Sequence, residues 1–477
     1  MNIDLDQIRE LLPTKRWFGA KDVAIEAVEL LDAGIIEDGP PALVIAIVTV
    51  RSDDETENLY HLPLLVDEDG SSRDAFEEPD RLRVLGDLMA HGSSIKGDHG
   101  VFQFGGPSLD PSNPPGATSA RTLGAEQSNT SLVLDEQMIL KTFRRVAVGR
   151  NPDLELTRLL TTEGFMNVPA HLGEITYIAD EADEDDGTSQ IDLGLAQQFI
   201  ADGVEGWTDT LERLRELYDA VDPADANEDI PFLVEERAKP LLDRIGELGE
   251  ATAGLHVTFG REQVDPDLAP EAVEKHDLEA WASSASAALS RLAQRDLVEL
   301  RPLVAGIEDG IARVAGVEEP GMKTRIHGDY HLGQVLRSTR GWLVLDFEGE
   351  PARSLEERRA KHSPLRDVAG MLRSFSYAAS SVMFERAGEG DAEWLRLEPW
   401  AAEWERLARE RYLNGYLTRS HEGDFVPEDR GSLMALLDFF EIDKALYELG
   451  YELNHRPDWI HIPLRGIRQV IERGESG

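Results

Sequence analysis

Apolar and polar positions fall into two regimes along the chain. Up to about residue 200, apolar residues come in short runs bounded by Gly, Pro and acidic clusters, which is a strand pattern. Beyond about 205 they recur at helical spacing. The first regime opens with a short amphipathic helix over 4–12. Strands are predicted over 25–31, 42–50 and 59–65. The run 42–48 is apolar without alternation, β-branched, and far short of the ~20 residues of a membrane span; it reads as a buried strand. Residues 105–117 are too rich in Pro and Gly for an element and serve as a connector. Two apolar runs, 132–134 and 138–143, flank Asp135-Glu136-Gln137 and predict a hairpin. A helix follows over 152–163, then an acidic hairpin tip or disordered loop over 180–189, then a strand over 191–200. Helices are expected over 208–220, 230–258, 277–296, 299–316, 391–418 and 430–454, and one opening at Pro364. The expected organisation is α+β: a small unit over 1–95, a second over 96–203 and a helical part over 204–477.

One stretch of the helical part breaks the pattern. It reads His327-Gly328-Asp329-Tyr330-His331-Leu332-Gly333-Gln334, and a short strand then delivers Asp346-Phe347-Glu348-Gly349-Glu350-Pro351. An acid, an amide five positions on and a second acid before Phe are the parts a kinase-fold phosphotransferase needs. The first carboxylate takes the proton of the attacking hydroxyl, while the amide and second acid hold Mg²⁺ on the nucleotide phosphates. The spacing matches H-R-D-x-x-x-x-N followed by D-F-G, with Gln for Asn and D-F-E for D-F-G. Asp329 is therefore the expected base, and Gln334, Asp346 and Glu348 the expected metal residues.

The rest of such a site has candidates upstream. Lys141 sits in the second hairpin strand, either on a solvent face or as the lysine that pairs nucleotide phosphates. The preceding loop, 124–131, lacks G-x-G-x-x-G, so Ser128, Asn129 and Thr130 are the expected phosphate donors. An acid from the next helix must fix the lysine; Glu155 or Asp153 can serve, and Glu155 is preferred. Gln198, at the end of the last strand, marks the segment whose backbone would meet adenine. Asp367 either locks the loop carrying Asp329 or caps its own helix. On the helix over 430–454, Lys444, Glu448 and Tyr451 share one face. They make either a surface pair or a sugar-recognition face. With His331 and Arg366 they are the candidate acceptor-site residues.

Composition limits the partners. There are 92 acids against 48 bases, for a net charge of −44, and no cysteine. Such a field repels nucleic acid and anionic lipid, so neither is expected as a partner. Disulfides and thiolate metal sites are excluded, and no H-E-x-x-H pattern occurs. The opening MNIDLDQIRELL has no basic segment leading into an apolar one, so no secretory signal is expected and the expected location is cytoplasmic. The acidity also suits a salt-rich environment, where screening over a few ångströms removes self-repulsion. The melting temperature should rise between low and molar KCl; a flat profile would show that the charge serves solubility alone.

Several blocks resemble one family. Lys15-Arg16-Trp17-Phe18-Gly19-Ala20-Lys21, the G-A-E-Q-S-N-T-S loop, I-L-K-T-F-R-R, N-P-D-L-E, H-G-D-Y-H-L-G-Q-V-L, D-F-E-G-E-P, S-P-L-R-D-V-A-G-M-L-R-S and the terminal Y-E-L-N-H-R-P-D-W look like bacterial maltokinases. These belong to the aminoglycoside phosphotransferase-like branch of the protein-kinase fold, with glucosamine kinases as near neighbours. The resemblance implies a bilobal kinase-like fold with an N-terminal cap, and ATP and Mg²⁺ as cofactors. It implies phosphorylation of maltose at the anomeric hydroxyl for α-glucan synthesis, with glucosamine as the alternative acceptor and a trehalose synthase as candidate partner. In it Lys141 holds the α- and β-phosphates, Glu155 positions it, Asp329 is the base, and Gln334 and Asp346, with Glu348, carry Mg²⁺. An antibiotic phosphotransferase and a non-catalytic pseudokinase are the remaining readings.

Overall fold

The computed structural model describes residues 3–19, 24–106, 117–124, 129–180, 190–222, 229–295, 297–350 and 353–476. Most of the 105–117 connector and of the acidic 180–189 segment, and Ala20-Lys21, lie outside the described residues. The chain divides into two compact units, Met1–Ala201 and Asp202–Gly477. Among the described residues no helix is long and apolar enough to cross a membrane.

The first unit begins with helix α1 (Leu5–Leu11), capped by the Asp4 side chain. Strands β1 (Ile25–Glu37), β2 (Ala42–Ser52), β3 (Glu57–Val66) and β4 (Ser72–Asp74) follow, then helix α2 (Val84–Ala90). Next come β5 (Ser94–Lys96), β6 (Gly100–Gly105), β7 (Ala120–Thr122), β8 (Asn129–Leu134), β9 (Met138–Phe143) and β10 (Arg145–Val146). Helix α3 (Pro152–Thr162) leads to β11 (His171–Ala179) and β12 (Gln190–Gln198). The first sheet has the order β1-β2-β3-β10, with β4 on β3; the second has β5-β6-β11-β12-β9-β8-β7.

The unbroken apolar run of β2 has a direct cause. Successive side chains point to opposite faces, and both faces of β2 are covered. Val44, Ala46, Val48 and Val50 pack with Trp17, Phe18 and Ile8 in one core. Leu43, Ile45 and Ile47 join Phe102, Leu140, Phe143 and Leu195 in the other. That second core spans both sheets, whereas the first is drawn wholly from residues 3–66. The basic-aromatic cluster near the start resolves here. Trp17 and Phe18 are buried against Tyr60, with ring centroids 6.1 and 5.2 Å away. Trp17 also covers the guanidinium of Arg144, which Phe76 covers as well. Arg144 is fully buried, forks onto Asp74 at 3.0 Å twice, and donates through Nε to Thr130 Oγ1 at 2.9 Å. The residue following β9 thus ties the hairpin to the first sheet, and β10 continues that tie by pairing with β3.

The second unit opens with β13 (Val204–Glu205), α4 (Gly206–Asp219) and α5 (Ile230–Phe259), then β14 (Glu271–Ala272), α6 (Lys275–Ala293), α7 (Val304–Val314) and β15 (Met322–Lys323). The hairpin β16 (Val335–Ser338) and β17 (Gly341–Val344) follows, then α8 (Leu355–Arg359), α9 (Leu365–Phe384), α10 (Ala392–Ser420), α11 (Arg430–His455) and α12 (His461–Ser476). The long helices α5 and α10 touch backbone to backbone. A Cβ at Gly249 would lie 2.1 Å from the Tyr412 carbonyl oxygen, and one at Gly415 2.1 Å from that of Gly246. Helix α9 is buried along most of its length. It packs against α4, α10, α11 and α12, which is why its polar residues had to find partners inside the unit.

Candidate active site

In the first unit the β8–β9 hairpin turns through Asp135-Glu136-Gln137 between the paired Leu134 and Met138, with Asp135 and Glu136 both at positive φ. Asp135 stabilises the turn by accepting from the Thr118 and Ser119 amides. The register sets Ser131 opposite Lys141. The Lys141 amino group donates to Asp153 Oδ2 at 2.9 Å, and the two side chains are 13% and 1% exposed. Asp153, one of the two acids the sequence offered, thus pairs with the lysine; Glu155 was the one preferred. The local reason is the helix start: Asn151 caps α3 by accepting the Asp153 amide at 2.8 Å, which fixes the first turn beside β9. Glu155, two residues further in, is buried as well. Asn129 and Ser131 are buried in β8, and the Thr130 hydroxyl accepts from Arg144. Ser128 lies outside the described residues. Gln198 ends β12, with its amide on the Ala170 carbonyl.

In the second unit the loop carrying Asp329 is held from beneath. Gly328 has φ +84°, which its lack of a side chain permits. The amides of His327 and Gly328 donate to the two oxygens of Asp367 at 2.7 and 2.9 Å, and His256 Nε2 reaches the same carboxylate at 3.2 Å. Burial opposes charge on Asp367, but the hydrogen bond from His256, with the backbone amide of Gly328, outweighs it and holds the carboxyl below its usual range. Of the two roles open to Asp367, the loop lock is the one observed. His327 Nε2 donates to the Leu345 carbonyl at 2.8 Å, while Nδ1 faces the Asp329 amide at 3.4 Å. A carbonyl only accepts and an amide only donates, so the ring proton sits on Nε2. This histidine bolts the Asp329 loop to the end of β17.

The β16–β17 hairpin then presents Asp346. This residue sits at φ +62°, uncommon for a side chain other than glycine. The Gln334 amide nitrogen donates to Asp346 Oδ2 at 3.3 Å. A carboxylate oxygen of Glu348 lies within 4.8 Å of one on Asp346. The second unit thus brings Gln334, Asp346 and Glu348 together as an oxygen-rich donor set.

Beside Asp329 lies a cleft of about 750 Å³ lined from this unit alone, with Gly328, Glu350, Arg366, Lys444, Tyr451 and Asn454 among its walls. Lys444 Nζ is 3.5 Å from Asp329 Oδ1 and donates to Glu350 Oε1 at 3.0 Å. Arg353 Nε holds the other Glu350 oxygen at 2.7 Å. Burial works against the charge on Glu350, yet Lys444, then Arg353, draw it down to about 2. Burial also opposes the charge on Lys444; Asp329 and Glu350 outweigh it and raise its pKa.

The five acceptor-site candidates separate. Arg366, Lys444 and Tyr451 line the cleft. His331 does not; its Nδ1 accepts from the Gly333 amide at 3.0 Å and its Nε2 is 3.8 Å from Asp329. Glu448 is a correction. It is buried and takes both Arg373 Nε and Nη2, at 2.9 and 2.8 Å, so it neutralises a buried arginine of α9. It is neither the partner of Lys444 in a surface pair nor a wall of the cleft. Sequence reasoning missed Glu350 and Arg353. The only signal for Glu350 was its place just past the metal acids, and its lysine lies 94 residues away.

Known proteins resemble this chain over most of its length. The model of the phosphotransferase enzyme family matches residues 119–409, and that of the maltokinase N-terminal cap domain matches 11–88. A glucosamine kinase of Mycolicibacterium smegmatis (strain ATCC 700084 / mc(2)155) is 25% identical over 369 residues, covering 76% of this chain and 82% of the relative. One of Streptacidiphilus jiangxiensis is 23% identical over 370 residues, covering 74% of each. A solved glucosamine kinase in complex with glucosamine, ADP and inorganic phosphate superposes with a TM-score of 0.68 at 20% identity, over 97% of this chain and 98% of that one. That likeness bears out the expected α+β, kinase-like fold with an N-terminal cap. A phosphotransferase model that spans well over half of the residues, on a chain that presents its acids as described, settles the family: the chain belongs to the phosphotransferase enzyme family and carries a maltokinase-type cap.

Proposed function

We propose that the protein transfers the γ-phosphate of ATP to a hydroxyl of a small sugar. The first candidate acceptor is maltose at its anomeric hydroxyl, giving maltose 1-phosphate for α-glucan synthesis. The observation that carries the reading is the Asp329 loop, fixed by Asp367 and His327 beside a sugar-sized cleft. Asp329 accepts the proton of the attacking hydroxyl. Lys141, held by Asp153, binds the nucleotide phosphates. The donor set of Gln334, Asp346 and Glu348 is all oxygen, which fits Mg²⁺ and its preference for hard ligands. When bound, the metal supplies charge neutralisation on the phosphates.

The cleft volume supports a disaccharide, since clefts for small ligands span roughly 300–1,000 Å³ and this one falls in the upper part of that range. Glucosamine is the second reading, favoured by the names of the relatives. A trehalose synthase is the candidate protein partner, and the cytoplasm the proposed location. The test is a panel of maltose, glucose and glucosamine with ATP and Mg²⁺. Maltose should give the highest kcat/KM. Preference for glucosamine would select the second reading, and phosphorylation of none of the three sugars would overturn both.

A further inference from the structure

Over the whole chain acids outnumber bases 92 to 48, yet the cleft beside Asp329 reverses the ratio. Among the described residues its walls carry seven Lys and Arg side chains against three acids. Two of those acids are already engaged. Glu350 is held by Lys444 on one oxygen and Arg353 on the other. Glu357 accepts the Ser354 amide at 2.8 Å as part of the cap of α8. Burial raises the pKa of Asp443 against the pull of Arg366 and Arg353. The ammonium of Lys444 lies 3.5 Å from Asp329 itself, so a positive charge of the protein already stands where an acceptor must approach the base.

We propose that Lys444 is a specificity-determining residue that excludes cationic acceptors, so that the sugar taken by this cleft is one without a protonated amine. The inference rests on the sugar-phosphotransferase reading and deepens it. A hydroxyl can accept a hydrogen bond from Lys444 and donate one to Asp329. An ammonium can only donate, finds Glu350 already held by Lys444 and Arg353, and meets Lys444 as a like charge. Specificity of this kind comes from a repulsive element against the wrong ligand as much as from attraction to the right one. The relatives named glucosamine kinases are about a quarter identical to this chain, so a change of acceptor within the shared fold is compatible with the distance.

The test uses the full-length protein and three sugars that differ only at C2: glucose, 2-deoxyglucose and glucosamine. Glucosamine should fall at least about tenfold below 2-deoxyglucose in kcat/KM, as like charges in contact cost affinity steeply. The comparison with 2-deoxyglucose isolates charge, because that sugar already lacks the C2 hydroxyl. Lys444→Gln should close most of the gap between the two. A merely structural lysine would lower all three sugars together and leave their ratio unmoved, which would overturn the proposal. So would a wild-type enzyme that prefers glucosamine, although the sugar-kinase reading would then survive. If no sugar is phosphorylated, that reading fails, and calorimetric binding of the same three sugars still decides the inference. Glucosamine binding more tightly than 2-deoxyglucose to the wild-type protein would sink it.

Discussion

Asp329→Asn should lower kcat by about 10²–10⁴-fold, the usual cost of removing a positioned general base, while binding of ATP with Mg²⁺ stays near wild type. The structure explains why the two effects should part. Asn has almost the shape of Asp and keeps the backbone of the loop, which Asp367 and His327 hold without help from the residue 329 side chain. Lys444 loses one of its anions but keeps Glu350 at 3.0 Å, so the cleft wall should stand. The donor set at Gln334 and Asp346 is untouched. What disappears is the acceptor for the hydroxyl proton. The measurement is a steady-state kcat with the best sugar of the panel, next to calorimetric titration with ATP and Mg²⁺. A kcat within about threefold of wild type would remove Asp329 from the role of base, since that loss is far smaller than general-base removal entails.

Much of the fold and part of the site were legible in the residues, and the division follows the range of the interactions. Acid-to-amide spacing within a loop and strand is local, so Asp329, Gln334 and Asp346 could be read in order. The apolar run of β2 told of burial on both faces, and the structure shows two cores meeting there. The hairpin around Asp135-Glu136 was a turn by pattern and is one by geometry. Pairings across long separations were out of reach. Glu448 looked like the i+4 partner of Lys444, but Arg373, 75 residues upstream, claims it. Asp153 and Glu155 lie two residues apart in the first turn of α3, and that Asp153 meets the lysine depends on how α3 begins beside β9, which periodicity does not resolve. The basic-aromatic cluster near the start gave no hint that Trp17 would cover Arg144. Nor could the positive lining of the cleft be read from a chain so acidic overall; charge balance is a sum, and a site depends on which few side chains face it.

Asp367→Asn should damage both stability and turnover, and the two losses have separate signatures. The carboxylate is 2% exposed and receives three donors: the amides of His327 and Gly328 and the Nε2 of His256. An amide in its place offers one oxygen and one NH₂, so at least one buried donor must face another donor. An orphaned buried group costs ~1–3 kcal/mol, more when a charge partner is lost, and the melting temperature should drop by on the order of 10 °C. The sign of the pH dependence follows from the depressed carboxyl. Asp367 contributes its stability above the ordinary carboxylate pKa of about 4 and loses it as the pH falls through the lower folded value. The gap in melting temperature between wild type and variant should therefore be widest near neutrality and narrow in acid. Catalytically, a loop freed to shift by about 1 Å forfeits roughly a hundredfold in rate, so kcat should fall by that order. KM for ATP should move little, because Lys141 and Asp153 lie outside the lock. A variant that melts early yet turns over at the wild-type rate would show that Asp367 supports the unit without aiming the base. A variant with unchanged stability would mean that the two amides and His256 find other partners once the carboxylate is gone.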